Sequence, residues 1–365
     1  MGVENVDAVH KMIQRIMLFS GNARIMEICG THTHQIARYG IRSLLPKGIR
    51  LVSGPGCPVC VTEAGYIDTA ITILDDPDVK IMSFGDLIRV PGSRSSLQEQ
   101  KAMGKDISVV YSPEDAFRAA AEHPDKQTVF LAVGFETTAP LFAALVKQAD
   151  KMNINNLFFL TALKQMEPVL HHMLGTLELK VDGLICPGHV AAITGQNPFQ
   201  IISDKYGVPA AICGFEALDI FAGIHELIQQ ISDKEAVRTA NLYKRCVRED
   251  GNTMAKSLID DVFAPADVVW RGIGMVPDSA YVINKRYKRF DALERFGIRI
   301  PDSGRPNTCL CGDILLGKTE PGGCPAFGRT CTPENPAGPC MVSSEGACSA
   351  WYKEMGEERC LQESN

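Results

Sequence analysis

Eight short apolar runs, separated by stretches with helical periodicity, most constrain the fold of this chain. Four occur at residues 24–29, 49–53, 80–84 and 107–111, and four follow at 128–135, 156–162, 183–186 and 210–213. Near-continuous apolar runs with helices between them are typical of parallel sheets that are covered by helices on both faces. The pattern therefore predicts an α/β protein.

The grouping of the runs predicts two similar α/β domains, each with a parallel sheet flanked by helices, at residues 1–122 and 123–216. Residues 217–300 are predicted to be a mainly helical segment, because 220–231 shows clear helical periodicity. A Gly- and Pro-containing linker then leads to a small C-terminal domain at 301–365.

Seven of the thirteen cysteines fall in the last sixty residues: Cys309, Cys311, Cys324, Cys331, Cys340, Cys348 and Cys360. This stretch has little apolar material to bury, so we expect thiolate–metal bonds to order it. Four thiolates suit a structural zinc ion or an iron–sulfur cluster. Zinc would leave two of the first six cysteines idle, whereas a cluster beside a redox thiol pair uses all six. Cys360 is expected to be dispensable.

Composition excludes several classes of function. A formal net charge of −6 and the lack of a basic patch argue against nucleic acid as the main partner. No apolar run reaches the ~18 residues of a membrane helix, and the N-terminal residues lack the apolar segment of a signal peptide. We therefore expect a cytoplasmic protein without a membrane partner, in which cysteines serve metal or redox chemistry rather than structural disulfides.

Unusual residues follow five of the apolar runs directly. The segments are 29–34 (CGTHTH), 54–60 (GPGCPVC), 85–86 (GD), 134–138 (GFETT) and 187–190 (PGHV). Ligands of open parallel sheets bind outside the carboxyl ends of the strands. The sequence therefore predicts that ligand-binding residues lie among these five segments.

Three thiols of these segments suit a single soft metal ion. Cys29 is expected at a helix N-terminus, which favours the thiolate, with His32 close enough to donate a hydrogen bond to it. Cys57 and Cys60 form a Cys-x-x-Cys pair, which can close a reversible disulfide or chelate a soft metal. The glycines before Cys57 are expected to let the backbone approach a ligand closely.

The remaining candidate residues have two interpretations each. Glu136 either caps a helix or acts in the site, and His189 is either a core histidine or a site residue. Cys186 and Cys213 are expected to pack at strand ends, and Cys246 to be structural. No Walker A loop or complete Gly-x-Gly-x-x-Gly occurs, so nucleotide binding has little support.

Together, CGTHTH, GPGCPVC, GFETT, PGHV and the spacing of the C-terminal cysteines resemble the HypD family of [NiFe]-hydrogenase maturation factors over nearly the whole chain. The resemblance implies two α/β domains and a [4Fe-4S] domain. It also implies a scaffold on which the Fe(CN)2CO group of the hydrogenase is built, working with the small chaperone HypC and with HypE, which supplies cyanide and has HypF upstream. Such a protein is an assembly scaffold with redox activity rather than a conventional turnover enzyme.

The resemblance also implies roles for residues. Cys29, Cys57 and Cys60 would be the iron-site thiols with His32 nearby, and Glu136 and His189 would supply protons or hydrogen bonds to cyanide nitrogen. The cluster ligands would be Cys309, Cys324, Cys331 and Cys348, and the redox pair would be Cys311 and Cys340. Ala191 departs from the family, which often has Ser there.

Two other functions remain open from the residues. One is a stand-alone disulfide reductase that uses the cluster and the Cys57–Cys60 pair. The other is a zinc-stapled binding module without a redox role.

Overall fold

A computed structural model describes residues 3–177, 179–233, 237–301 and 309–363. Its eleven strands within these ranges are β1 (Ala23–Glu27), β2 (Ile49–Ser53), β3 (Val79–Ser83), β4 (Ile107–Val109), β5 (Gln127–Gly134), β6 (Leu157–Lys164), β7 (Gly183–Pro187), β8 (Ala210–Cys213), β9 (Thr239–Asn241), β10 (Phe263–Trp270) and β11 (Gly274–Ile283). All eight predicted strands are present, which confirms the α/β fold.

Helices occupy most connections between the strands. They are α1 (Val3–Met17), α2 (Gly30–Arg38), α3 (Pro58–Val61), α4 (Ala64–Ile73), α5 (Gly85–Ile88), α6 (Leu97–Ala102), α7 (Glu114–Glu122), α8 (Ala139–Lys151), α9 (Met166–His171), α10 (Gly188–Thr194), α11 (Asn197–Asp204), α12 (Ala217–Ser232), α13 (Thr253–Val262), α14 (Ala292–Phe296), α15 (Cys311–Leu315), α16 (Pro339–Val342) and α17 (Ala347–Glu363). Short 3-10 turns occur at Ile41–Leu44, Lys288–Phe290 and Pro321–Gly323, and a π-helical turn at His172–Thr176. No helix among the described residues is both long and apolar enough to cross a membrane.

The strands form two sheets that each draw on distant parts of the chain. The first has the order β2-β1-β7-β8-β9 and is parallel throughout. The second has the order β10-β11-β6-β5-β3-β4, in which β3 to β6 are parallel and the β10–β11 hairpin is antiparallel. The expectation of one sheet for each consecutive set of four strands is therefore wrong, and residue 123 does not mark the boundary between the sheets.

The segment 217–300 also differs from the mainly helical prediction. It contains α12, α13 and α14, but β9 joins the edge of the first sheet and the β10–β11 hairpin joins the second. Most residues of the two hairpin strands are partly or fully exposed, as expected for a ribbon at the edge of a sheet. These strands are less apolar than the buried parallel strands, so they have a weaker signal in the sequence.

The C-terminal helices pack against the first sheet's connections. Helix α17 contacts α2, and α16 contacts α3. One buried core includes the ends of β1 and β7 together with residues of α15, α16 and α17. The cysteine-rich segment therefore shares one hydrophobic core with the first sheet.

Candidate functional site

A cleft of about 700 Å³ lies where the carboxyl ends of both sheets meet. Residues that follow β1, β2, β3, β5 and β7 line it, together with 343–345 from the C-terminal segment. All five segments that the sequence placed after strands contribute to this lining. The side chains gather here because the strands are parallel and their carboxyl ends point to one edge of each sheet.

Cys29 is the thiol that faces the cleft. It is the N-cap of α2, and it is 9% exposed. Burial raises the pKa of the Cys29 thiol to about 12, while backbone N–H groups of His32 and Thr31 act in the opposite direction. The helix N-terminus is present as predicted, but desolvation outweighs it. The thiol is therefore protonated at neutral pH unless a metal displaces the proton.

The Cys57–Cys60 pair lies directly beside Cys29. The two cysteines form a disulfide across the first turn of α3, with Cα atoms 5.2 Å apart, and both are buried. A Cβ atom on Gly56 would lie only 2.2 Å from the backbone nitrogen of Cys29. The glycine therefore allows the two strand-end segments to touch, rather than giving a ligand access to the backbone.

His32 is fully buried behind Cys29. Its Nε2 lies 2.8 Å from the carbonyl oxygen of Gly214, which can only accept, so Nε2 carries the proton. Burial lowers the pKa of His32 to about 4, which keeps the ring neutral. Nδ1 has no hydrogen-bond partner among the described residues and is an acceptor. The sequence led us to expect a donor at this position.

His189 also lines the cleft, at the start of α10. Phe215 lies between the two histidines, with ring centroids 4.1 Å from His189 and 4.6 Å from His32. Burial lowers the pKa of His189. Both rings are thus held in place by an aromatic residue that the sequence analysis did not single out.

Glu136 is buried behind the cleft and does not line it. Its Oε1 accepts the backbone N–H of Met166, the first residue of α9, at 2.6 Å. Oε2 has no partner in the described part of the chain. Burial raises the pKa of Glu136 to about 7. Glu136 therefore caps α9, the helix that follows the neighbouring strand β6. Met166, which donates this hydrogen bond, lines the cleft, so Glu136 contacts the cleft through Met166.

Two acidic residues of this region escaped the sequence analysis. Glu27, at the end of β1, is fully buried and accepts from the hydroxyl of Thr33 at 2.8 Å, and burial raises its pKa to about 8. Glu345 accepts from the hydroxyl of Thr31 at 2.8 Å and lines the cleft. A carboxylate inside an apolar run was the available signal for Glu27, whereas Glu345 is brought in only by tertiary structure.

The other cysteines of the sheets are packed as predicted for strand ends. Cys186 and Cys213 are fully buried, and burial raises the pKa of each thiol. Cys213 Sγ lies 3.7 Å from Nε2 of His32, so it forms part of the buried layer behind Cys29. Cys246 is exposed. The side chain of Cys360 lies outside the described residues.

The C-terminal thiols form a second group. Sγ of Cys311 and Sγ of Cys340 are 2.7 Å apart and buried. Cys311 also shares a hydrogen bond with Cys309, and Cys324, Cys331 and Cys348 interact electrostatically with this group. Across the described ranges, no three His, Cys, Asp or Glu side chains converge as closely as metal ligands do. The donor set nonetheless fits a thiolate-bound cluster, because six thiols form one group and a cluster needs four.

The fold and the cleft define an α/β protein with one thiol site at the carboxyl ends of its sheets and a second thiol group at its C-terminus. Residues 4–355 match the family model described as HypD: Hydrogenase formation hypA family. The chain belongs to the HypD family of hydrogenase maturation factors.

Relatives from both archaea and bacteria match along most of their length. The chain is 41% identical over 348 residues to a putative hydrogenase expression/formation protein of Methanocaldococcus jannaschii, covering 95% of each. It is 40% identical over 336 residues to the hydrogenase maturation factor HypD of Escherichia coli, covering 92% of this chain and 90% of the relative. It is 42% identical over 338 residues to HypD of Cupriavidus necator, covering 90% and 88%.

Proposed function

We propose that this protein is the scaffold on which the Fe(CN)2CO group of a [NiFe]-hydrogenase is assembled, together with HypC and HypE. The observation that carries the proposal is the cleft: a lone thiol faces it, and a closed Cys-x-x-Cys pair adjoins that thiol. Low-spin iron with cyanide and carbonyl ligands is soft, and thiolate is a suitable anchor for it. Membership of the HypD family supports the same conclusion.

Cys29 is the anchor for the iron in this proposal, shared with a cysteine of HypC. Cys29 is the one cysteine among the described residues that lines the cleft, and its neighbours Cys57 and Cys60 form a disulfide with each other. Iron binding displaces the Cys29 proton, as metal binding to any thiol does. His189 faces the same space and can hydrogen-bond a cyanide nitrogen. Glu136 acts through its bond to Met166, which also lines the cleft.

The C-terminal segment is proposed to hold a [4Fe-4S] cluster through Cys309, Cys324, Cys331 and Cys348. When bound, the cluster supplies electrons one at a time. The separation of 2.7 Å between the sulfur atoms supports Cys311 and Cys340 as the redox pair. Helix α16, which contains Cys340, packs against α3, which contains Cys60. This contact supports a relay between the two thiol pairs.

Infrared spectroscopy of the co-purified complex with HypC tests the anchor. The Cys29→Ala variant should lose the cyanide and carbonyl stretching bands and keep both its fold and the C-terminal cluster. Cys246→Ala is the control, because this exposed thiol lies outside the cleft. Normal bands in the Cys29→Ala complex would move the anchor to Cys57 or Cys60.

Iron and sulfide analysis of anaerobically purified protein tests the cluster. Alanine at any of the four proposed ligands should remove iron and sulfide, whereas Cys311→Ala and Cys340→Ala should retain them. Zinc in place of iron in a colourless protein would favour the zinc-stapled module. Reduction of a protein disulfide with turnover in the absence of HypC would favour the disulfide reductase.

A further inference from the structure

The turn between β10 and β11, residues 271–273, touches the helices of both thiol pairs. On one side, the backbone N–H of Arg271 donates to the carbonyl oxygen of Val61 at 2.9 Å. Val61 is the last residue of α3, the helix that begins after Cys57 and contains Cys60. The turn is therefore bonded to the helix of the first pair.

On the other side, the turn meets the helix of the second pair through two glycines. A Cβ atom on Gly272 would lie 2.3 Å from the Cα of Gly312, and one on Gly312 would lie 2.6 Å from the Cα of Gly272. Gly272 also has a φ of +83°, which L side chains rarely adopt. Gly312 directly follows Cys311 at the start of α15. The two backbones are thus in contact beside the second pair.

The turn is held firmly at its base. Trp270 is fully buried, and its Nε1 donates to the hydroxyl of Ser279 at 2.8 Å. The buried ammonium of Lys164 donates to the carbonyl oxygen of Val269 at 3.0 Å. A segment anchored on both strands in this way transmits a displacement instead of absorbing it.

The guanidinium of Arg271 extends from the turn toward the C-terminal thiols. It interacts electrostatically with Cys309, Cys311 and Cys340. Nη1 of Arg271 is buried and has no hydrogen-bond partner in the parts of the chain that the structure describes. Burying a hydrogen-bond donor without a partner costs free energy. The packing around Arg271 therefore holds its side chain beside the sulfur atoms.

We propose that the turn at residues 271–273 is a positioning element that couples the two thiol pairs. Oxidation of Cys311 and Cys340 then changes the dithiol–disulfide equilibrium of Cys57 and Cys60, and the reverse holds equally because coupling is reciprocal. The inference rests on the proposed thiol relay and adds to it the part of the fold that links the pairs.

The displacement that carries the coupling begins with closure of the second pair. Cys311 is the first residue of α15, and its sulfur atom lies beside that of Cys340. Closure moves the start of α15, where Gly312 rests on Gly272. The anchored turn passes the movement through the bond between Arg271 and Val61 to α3.

The test measures four redox states of the full-length protein under anaerobic conditions and at fixed pH. Mixtures of oxidised and reduced dithiothreitol set the redox potential. Each cysteine pair loses two electrons and two protons when it closes, and the disulfide of oxidised dithiothreitol accepts them and becomes the dithiol. Alkylation followed by mass spectrometry of intact protein and peptides then gives the population with neither, either or both disulfides. The coupling constant is the population with neither disulfide multiplied by the population with both, divided by the product of the two populations that contain one disulfide.

Wild-type protein should give a coupling constant that departs from one by at least about fivefold, the lower end of typical couplings. Gly272→Ala should bring it to within about twofold of one. Gly312→Ala should do the same from the other side of the contact. Gly274→Ala is the matched control, since it has a φ of +111° and open space around it, and it should keep the wild-type constant.

If both cysteine pairs open and close but the coupling constant of wild-type protein is one, the proposed coupling is wrong and the proposed relay still stands. Equal loss in Gly272→Ala and Gly274→Ala would overturn the role of the glycine contact. A pair that stays reduced at every poise would contradict the relay itself and the coupling with it. Should both contact variants fail to fold by circular dichroism, the wild-type constant still decides whether the pairs are coupled.

Discussion

Replacing Glu136 with Gln should stabilise the protein at alkaline pH and leave its stability unchanged in acid. Burial raises the pKa of this carboxyl from 4.5 to about 7, and one of its oxygens has no partner among the described residues. Above that pKa the folded protein must hold a desolvated carboxylate. Gln keeps the acceptor for the backbone N–H of Met166 and removes the charge.

The magnitude follows from the two pKa values of Glu136. The unfolded chain loses the proton near pH 4.5 and the folded chain near pH 7. Between these values the folded state binds more protons, so stability falls as the pH rises through this window. The gap between 4.5 and about 7, at ~1.4 kcal/mol for each pH unit, corresponds to a loss of about 3 to 4 kcal/mol in the unfolding free energy. The loss is complete above about pH 8 and absent below about pH 4.

Urea denaturation of wild-type protein and Glu136→Gln, at about pH 4 and about pH 8.5, measures this difference. Glu27 titrates in both proteins, so its contribution cancels. Glu122→Gln, at an exposed position of α7, is the matched control and should change neither curve. A difference between Glu136→Gln and wild type that does not grow with pH, or a variant less stable than wild type at about pH 8.5, would refute the role given to burial of this charge.

Two further predictions concern the thiol site. Gly56→Ala places a Cβ 2.2 Å from the backbone nitrogen of Cys29 and should lower the unfolding free energy by about 1–3 kcal/mol, measured by urea denaturation. Gly322→Ala, with open space around it, should stay within about 0.5 kcal/mol of wild type, and an equal cost in both would contradict the contact. Thiol trapping should find Cys57 and Cys60 as both dithiol and disulfide across the poises that support maturation; a pair reduced throughout would count against a switch.

The sequence predicted the strands well because each parallel strand is a buried apolar run with a local signal. It did not predict which strands share a sheet. The first sheet places β7 beside β1, although more than 150 residues separate Glu27 from its partner Ile185. Such pairing depends on long-range packing that no local pattern encodes. The hairpin of β10 and β11 was missed for a related reason, since an edge ribbon with one solvent face has a weaker apolar signal.

The candidate site also combines features that the sequence predicts with features that only the folded structure shows. Sequence position alone put Cys29, Cys57 and His189 after strands, and parallel strands bring such positions to one edge. The protonation of the side chains there depends on desolvation, which only the packed structure supplies. Cys29 shows this most clearly, because its helix N-terminus favours the thiolate while burial raises its pKa to about 12.

The sequence by itself determined the α/β fold, the strand-end cysteines and the thiol-rich C-terminus, because each depends on residues close together in the chain. The tertiary structure decided that both sheets open onto one cleft, that Glu345 reaches into it and that the turn at 271–273 touches both thiol pairs. These features join residues that are far apart in sequence. Their physical cause is the burial of apolar surface between the sheets and the C-terminal helices, which fixes the distances between polar groups that no local pattern relates.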